Sequence, residues 1–172
     1  MKILRNVFIA LLVLVAIVLV IAAISPKTFH AGSEIIIHRN ATEVFDKVKY
    51  LKNQGEFDPW SRQDPNIQKE YLGEDGTVGF TYTWKSNKVG NGRQVIKQII
   101  EGRRLDIDIY FNDNKQANHS FIEVDSIAPQ QSSVRWEIEG CIPFPFNIMN
   151  LVYDMDEDFK QGLINLKSTL EK

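Results

Sequence analysis

The chain has 172 residues, enough for one ordinary domain plus a short extra segment. A formal net charge of −2 with no basic run argues against the electrostatic footprint of a nucleic-acid binder. Cys141 is the sole cysteine, which rules out an intrachain disulfide, a CxxC pair and a thiolate metal site.

The N-terminus carries the strongest single signal. Val7 to Ile24 is an unbroken apolar run without charge, proline or glycine. At ~1.5 Å per residue it spans about 27 Å as a helix, close to a hydrocarbon core of roughly 30 Å. Lys2 and Arg5 precede it and only Lys27 follows closely. The positive-inside rule then places the N-terminus in the cytoplasm and the folded domain across the membrane, as a single-pass protein. The competing reading is a cleaved signal peptide, whose apolar core is typically ~7–15 residues before a small-x-small site. The greater length, and Pro26 just after the small residues Ala22, Ala23 and Ser25, favour an uncleaved anchor. The expected division is an anchor and link over 1–28 and a folded domain over 29–172.

Past Pro26 the pattern changes. Glu34 to His38 is short and β-branched, a strand. Asn40 followed three residues later by Glu43 opens a helix, with Val44, Phe45, Val48 and Leu51 on one face. Asn53 to Pro65 reads as a short helix or turn. Strands then follow in succession: Ile67–Leu72, a segment with Phe80, Tyr82 and Trp84 alternating with threonines, Gly92 to Ile100, Leu105 to Phe111, Ala117 to Ile127, and Val134 to Glu139. Turns are expected at Gly73–Gly76, Glu101–Arg103, Asn112–Asn114 and Pro129–Gln131. Met149, Val152, Met155, Phe159, Leu163, Leu166 and Leu170 recur every three or four residues, predicting one long amphipathic helix.

Short connections favour antiparallel neighbours, and the long helix must bury its stripe on the sheet. The expected class is α+β, a curved antiparallel sheet wrapped around a long C-terminal helix. This order of elements resembles the helix-grip fold of the START-like, or SRPBCC, superfamily, which includes the Bet v 1-like proteins. Asp58-Pro59-Trp60-Ser61-Arg62-Gln63-Asp64-Pro65 is similar to a segment of bacterial members described as polyketide cyclase/dehydrase-like. Gly140 to Phe146, Asp154-Met155-Asp156, Phe159 to Leu163 and Asn165 to Lys167 resemble the C-terminal region of those proteins, and Gly79 to Trp84 with Gly90-Asn91-Gly92 their central hairpin. Tryptophans common in that family are replaced here by Gln54 and Phe57. The resemblance implies a fold and a cavity; no catalytic motif is shared across the superfamily, so no residue role carries over.

The chemistry legible in the residues is sparse. His30, His38 and His119 lie far apart without ligand-like spacing, so no metal site is expected, and no cofactor. Asp154, Asp156, Glu157 and Asp158 cannot converge on one point of a helix, and Asp156 is placed to pair with Lys160. Ser61, Ser120 and Cys141 have no activating base nearby in sequence. Tyr82, Arg93, Gln94 and Tyr153 are acid/base candidates without a recognisable pair. The aromatics read two ways at once. Phe80, Tyr82, Trp84, Phe111 and Trp136, converging beneath the long helix, serve as core or as the wall of a ligand cavity, with Phe146, Met149 and Tyr153 completing the ligand-binding set.

The expectation is therefore a membrane-tethered module binding a hydrophobic small molecule or lipid, monomeric in its soluble part. The alternatives are a cyclase- or dehydrase-type enzyme and a partner-binding protein of the chaperone-activator type.

Overall fold

The computed structural model describes residues 2–112 and 114–172 and divides the chain into two compact units. The larger comprises His30–Gly140 and Met155–Lys172. Its frame is a seven-stranded sheet in the order β1-β7-β6-β5-β4-β3-β2. The strands are β1 (Thr28–Ile37), β2 (Gln68–Leu72), β3 (Thr81–Lys85), β4 (Gly92–Ile100), β5 (Arg104–Phe111), β6 (Asn118–Ala128) and β7 (Gln131–Cys141). Every neighbouring pair from β2 to β7 is antiparallel, as the short connections require. The turn expected at Asn112–Asn114 includes Asp113, which lies outside the described residues.

Between β1 and β2 run α2 (Ala41–Val48), a 3₁₀ turn over Leu51–Glu56, and the short α3 (Pro59–Gln63). Asn40 caps α2 by accepting the Glu43 amide at 2.9 Å, and Val44, Phe45 and Val48 are buried, as the sequence pattern predicts. Asp58 caps α3 in the same manner, accepting the Ser61 amide at 2.6 Å, with Pro59 in the first turn where a missing N–H costs nothing.

The C-terminal helix α4 runs from Met155 to Leu170 and buries Phe159, Leu163 and Leu166. Gly162 lies against Trp136 of β7, where a Cβ would come within 2.8 Å of the indole. Asn165, also buried, donates to the Phe57 carbonyl at 2.9 Å and accepts from Arg62 at 3.1 Å, tying the helix to the α3 region.

Two expectations are corrected here. The long helix does not begin at Met149: Phe146–Leu151 is a separate 3₁₀ turn, and both Met149 and Val152 lie outside α4. Two independent apolar segments happen to share helical phase across Val152–Asp154. Nor does Asp156 pair with Lys160. Its carboxylate accepts the Gly32 amide at 2.7 Å, and Lys160 reaches Glu157 at 3.0 Å instead.

The smaller unit consists of the N-terminal segment up to Phe29 and Cys141–Asp154. Its main element is α1 (Lys2–Ile24), a helix of 23 residues with the length and composition of a membrane span or a signal sequence. Tertiary contact groups Cys141–Asp154 with the N-terminal helix.

Candidate functional site: a polar cluster on the inner face of the sheet

Strand register decides which side chains share a face, because directly paired residues project to the same side. One inner row runs Lys69, Trp84, Gly92, Phe111 across β2, β3, β4 and β5. The next runs Tyr71, Tyr82, Gln94, Ile109, Asn118. The aromatics of these rows form a continuous strip: Tyr71 stacks on Phe80 and Tyr82, Tyr82 lies 5.8 Å from Trp84, and Trp84 meets Phe111 edge-on at 6.2 Å.

A second aromatic group sits under α4. Trp136 makes edge contacts with Phe57, Trp60 and Phe159 at 5.7, 5.9 and 5.1 Å. The aromatics expected to converge in one place thus divide into two groups. Phe80, Tyr82, Trp84 and Trp136 are buried, whereas Phe111, at the end of β5, is 41% exposed. Phe146, Met149 and Tyr153 belong to the smaller unit and are exposed.

Polar groups gather around Tyr82. Lys69 Nζ donates to Ser61 Oγ at 3.1 Å and lies 5.9 Å from the Tyr82 ring centroid. Gly55 backs this ammonium: a Cβ there would stand 2.7 Å from Nζ. Burial pushes the Tyr82 phenol well above its ordinary range, and the nearby Asp58 charge adds to the effect. Burial likewise raises the Asp58 carboxyl, against the opposing pull of the Ser61 hydrogen bonds and Lys69. Gln94, paired directly with Tyr82, has a buried amide oxygen without a hydrogen-bond partner among the described residues.

Chemically this is a set of hydrogen-bonding groups on an apolar wall. Tyr82 keeps its proton throughout the physiological range and is a donor. The Lys69 ammonium donates to Ser61 Oγ, and the Ser61 hydroxyl in turn donates a hydrogen bond to the Asp58 side chain. Of the other acid/base candidates, Arg93 projects from the opposite face and stacks on Tyr110 at 4.2 Å. Ser120 donates to the Glu137 carbonyl at 2.7 Å. Tyr153 and Cys141 lie in the smaller unit. Asp58 and Lys69 were missed as site residues from sequence. Asp58 reads there as part of a motif, and Lys69 gains its inward direction only from the β2–β3 register.

The outer face of the same sheet carries a cleft of about 310 Å³ that brings together His30 and His119, remote in sequence. Each is already engaged: His30 with Glu137 at 2.9 Å and His119 with the buried Asp108 at 2.7 Å. Lys97 and Arg104 pair with Asp108 and Asp106 at 3.6 and 2.8 Å. Among the described residues no group of His, Cys, Asp and Glu is arranged to hold a metal ion. The cleft thus holds these ion pairs, and each of its histidines is hydrogen-bonded to a carboxylate.

No protein-family model and no curated protein matches the sequence. Solved structures do match. Truncated norcoclaurine synthase from Thalictrum flavum superimposes with a TM-score of 0.63 at 11% identity, covering 86% of this chain and 96% of that one. The same enzyme has been solved in complex with dopamine and hydroxybenzaldehyde. An uncharacterized protein from Bacillus thuringiensis matches with a TM-score of 0.59 at 15% identity, over 84% of this chain and all of that one. Aha1 from Colwellia psychrerythraea, solved as a dimer, gives 0.59 at 14%, over 83% and 96%. At such identities these are likenesses of fold, and the fold is the helix-grip, Bet v 1-like arrangement expected from the order of elements.

Proposed function

We propose that the larger unit binds a hydrophobic small molecule or lipid on the inner face of its sheet, with a polar end of the ligand at Tyr82. The observation that carries this reading is the cluster of Tyr82, Lys69 and Gln94 set into a wall of Tyr71, Phe80, Trp84 and Phe111. A buried amide oxygen without a partner, as at Gln94, costs about 1–3 kcal/mol, which a donor on a ligand offsets. Sites for small molecules combine such an apolar lining with a few placed polar groups. In this reading α1 is an uncleaved anchor, residues 29–172 are the tethered module, and the N-terminal positive charges keep Lys2 and Arg5 on the cytoplasmic side. Tethering raises the concentration of the site near the bilayer.

A second reading, catalysis on a small hydrophobic substrate of the cyclase or dehydrase type, draws on one further observation. Asp58 and Tyr82 are both pushed toward their neutral forms next to a lysine, an arrangement suited to donating hydrogen bonds to a bound carbonyl.

Native mass spectrometry of the full-length chain released from nanodiscs tests the binding reading. A reproducible bound mass in the native chain, lost in Trp84→Ala and weakened in Tyr82→Phe, supports it. A chain that stays empty after incubation with total lipid extract and small hydrophobic metabolites sinks it. A bound mass that changes chemically on the native chain but persists unchanged on Tyr82→Phe moves the assignment to the enzyme.

A further inference from the structure

We propose that Cys141–Asp154 is a membrane-interface foot that seats its uncharged, apolar side chains in the lipid headgroup–acyl boundary beside the end of α1. This rests on the reading of α1 as a membrane span. From Gly140 to Tyr153 the chain has no charged residue. It nevertheless leaves its large apolar side chains exposed: Val152 is 74% and Phe146 66% accessible, with Phe144, Met149, Leu151 and Tyr153 also exposed. An apolar surface of this kind on a soluble domain marks a partner.

The identity of that partner follows from where the segment is attached. Pro26 has no N–H, so the Ala22 carbonyl of α1 loses the donor four residues on that would continue the helix. The Asn147 side chain supplies it, donating to Ala22 O at 2.7 Å and Ser25 O at 3.0 Å while fully buried. Asn150 donates to Pro26 O at 3.2 Å, and the Ile142 amide to Lys27 O at 2.8 Å. The segment is thus fixed to the last turn of α1, the depth at which a spanning helix leaves the hydrocarbon. Aromatic side chains and asparagine amides suit that zone, where apolar bodies and polar tips are both solvated. Continuity with the lipid-facing surface of α1 and the absence of charge favour lipid over a second protein.

The test uses the full chain with Cys141→Ser, reconstituted in phosphatidylethanolamine–phosphatidylglycerol vesicles. Nitroxide labels are placed singly at Phe146→Cys, Val152→Cys, Leu14→Cys and Glu74→Cys. Collision with oxygen and with a water-soluble nickel complex reads depth. The expected result is a several-fold drop in nickel accessibility at 146 and 152 relative to 74, to values between those at 74 and 14. Water-like values at 146 and 152, with label 14 deep in the bilayer, overturn the foot and leave the anchor standing. A water-like value at 14 overturns the anchor itself, and the foot with it. Dipolar broadening at 146 and 152 that vanishes on dilution with unlabelled chain assigns the surface to a second copy and also overturns the proposal.

Discussion

The Trp84 indole lies over Gly92, its direct partner on the neighbouring strand, where a side chain would collide with it. A Cβ at Gly92 would fall 2.4 Å from Cζ2 of the indole and 2.6 Å from the Tyr110 carbonyl. Neither the rigid ring nor the backbone oxygen can yield cheaply. Gly92→Ala is therefore expected to destabilise the larger unit by about 1–3 kcal/mol through overpacking. The same substitution should tilt the indole and shift its fluorescence. A urea titration following tryptophan emission measures both, and an unchanged midpoint would refute the packing argument.

Gly55 offers a more delicate probe of the polar cluster. An added methyl there crowds the end of the flexible Lys69 side chain and touches Ser61 Oγ at an ordinary 3.7 Å, so Gly55→Ala should leave stability within about 0.5 kcal/mol of the native chain. It should nevertheless move the ammonium away from Ser61. If Lys69 orients the polar end of a ligand, Gly55→Ala and Lys69→Met should weaken binding by a similar factor, on the order of tenfold for one charge-assisted hydrogen bond. Calorimetry with the ligand found by native mass spectrometry distinguishes this from no effect.

Opposite pH dependences are expected from two buried carboxylates. The hydrogen bond from Arg135, and its charge with those of Arg104 and Arg103, hold the Glu123 carboxyl below its usual range in spite of burial. Its folded value lies below the unfolded value of ~4.3, so its contribution is fully present above that pH and is lost as pH falls through the folded value. Asp58 behaves in reverse. Burial raises its folded value above ~3.9, so its contribution is present below that pH and lost as pH rises through the folded value. Urea midpoints against pH should therefore show the acid-side loss diminished in Glu123→Gln. They should also show a gain at neutral pH in Asp58→Asn, whose amide oxygen still accepts the Ser61 N–H. A flat difference between native and Asp58→Asn across pH 4 to 7, about the range bracketing a raised carboxyl, would count against a buried charge at that position.

Asn165 is the joint between α4 and the segment before β2. Asn165→Ala removes its bond to the Phe57 carbonyl and strands the partner groups, at an expected cost of about 1–3 kcal/mol. Asn165→Asp keeps the acceptor for Arg62 but not the donor to Phe57, so it should recover part of the loss. Thermal midpoints of the two variants in detergent provide the comparison.

Local patterns determined most of the secondary structure. The Asn40–Glu43 cap, the alternation at Phe80, Tyr82 and Trp84, and the uncharged run from Val7 to Ile24 each encode their element in nearest-neighbour chemistry. Antiparallel pairing of consecutive strands from β2 to β7 also followed, because their connections are short, whereas the placing of β1 beside β7 did not. What only the tertiary structure decided is how those elements meet. Lys69 and Ser61 are eight residues apart with no periodicity to link them, yet a strand register and a helix cap bring them to 3.1 Å. Met149 and Val152 continue the spacing of the long helix in sequence but lie outside it, because Asn147 and Asn150 hold that stretch to the end of α1. Helical phase is a property of one segment, whereas hydrogen bonds between Asn147 and Ala22 join residues that are remote along the chain, and nothing local in either residue announces the other.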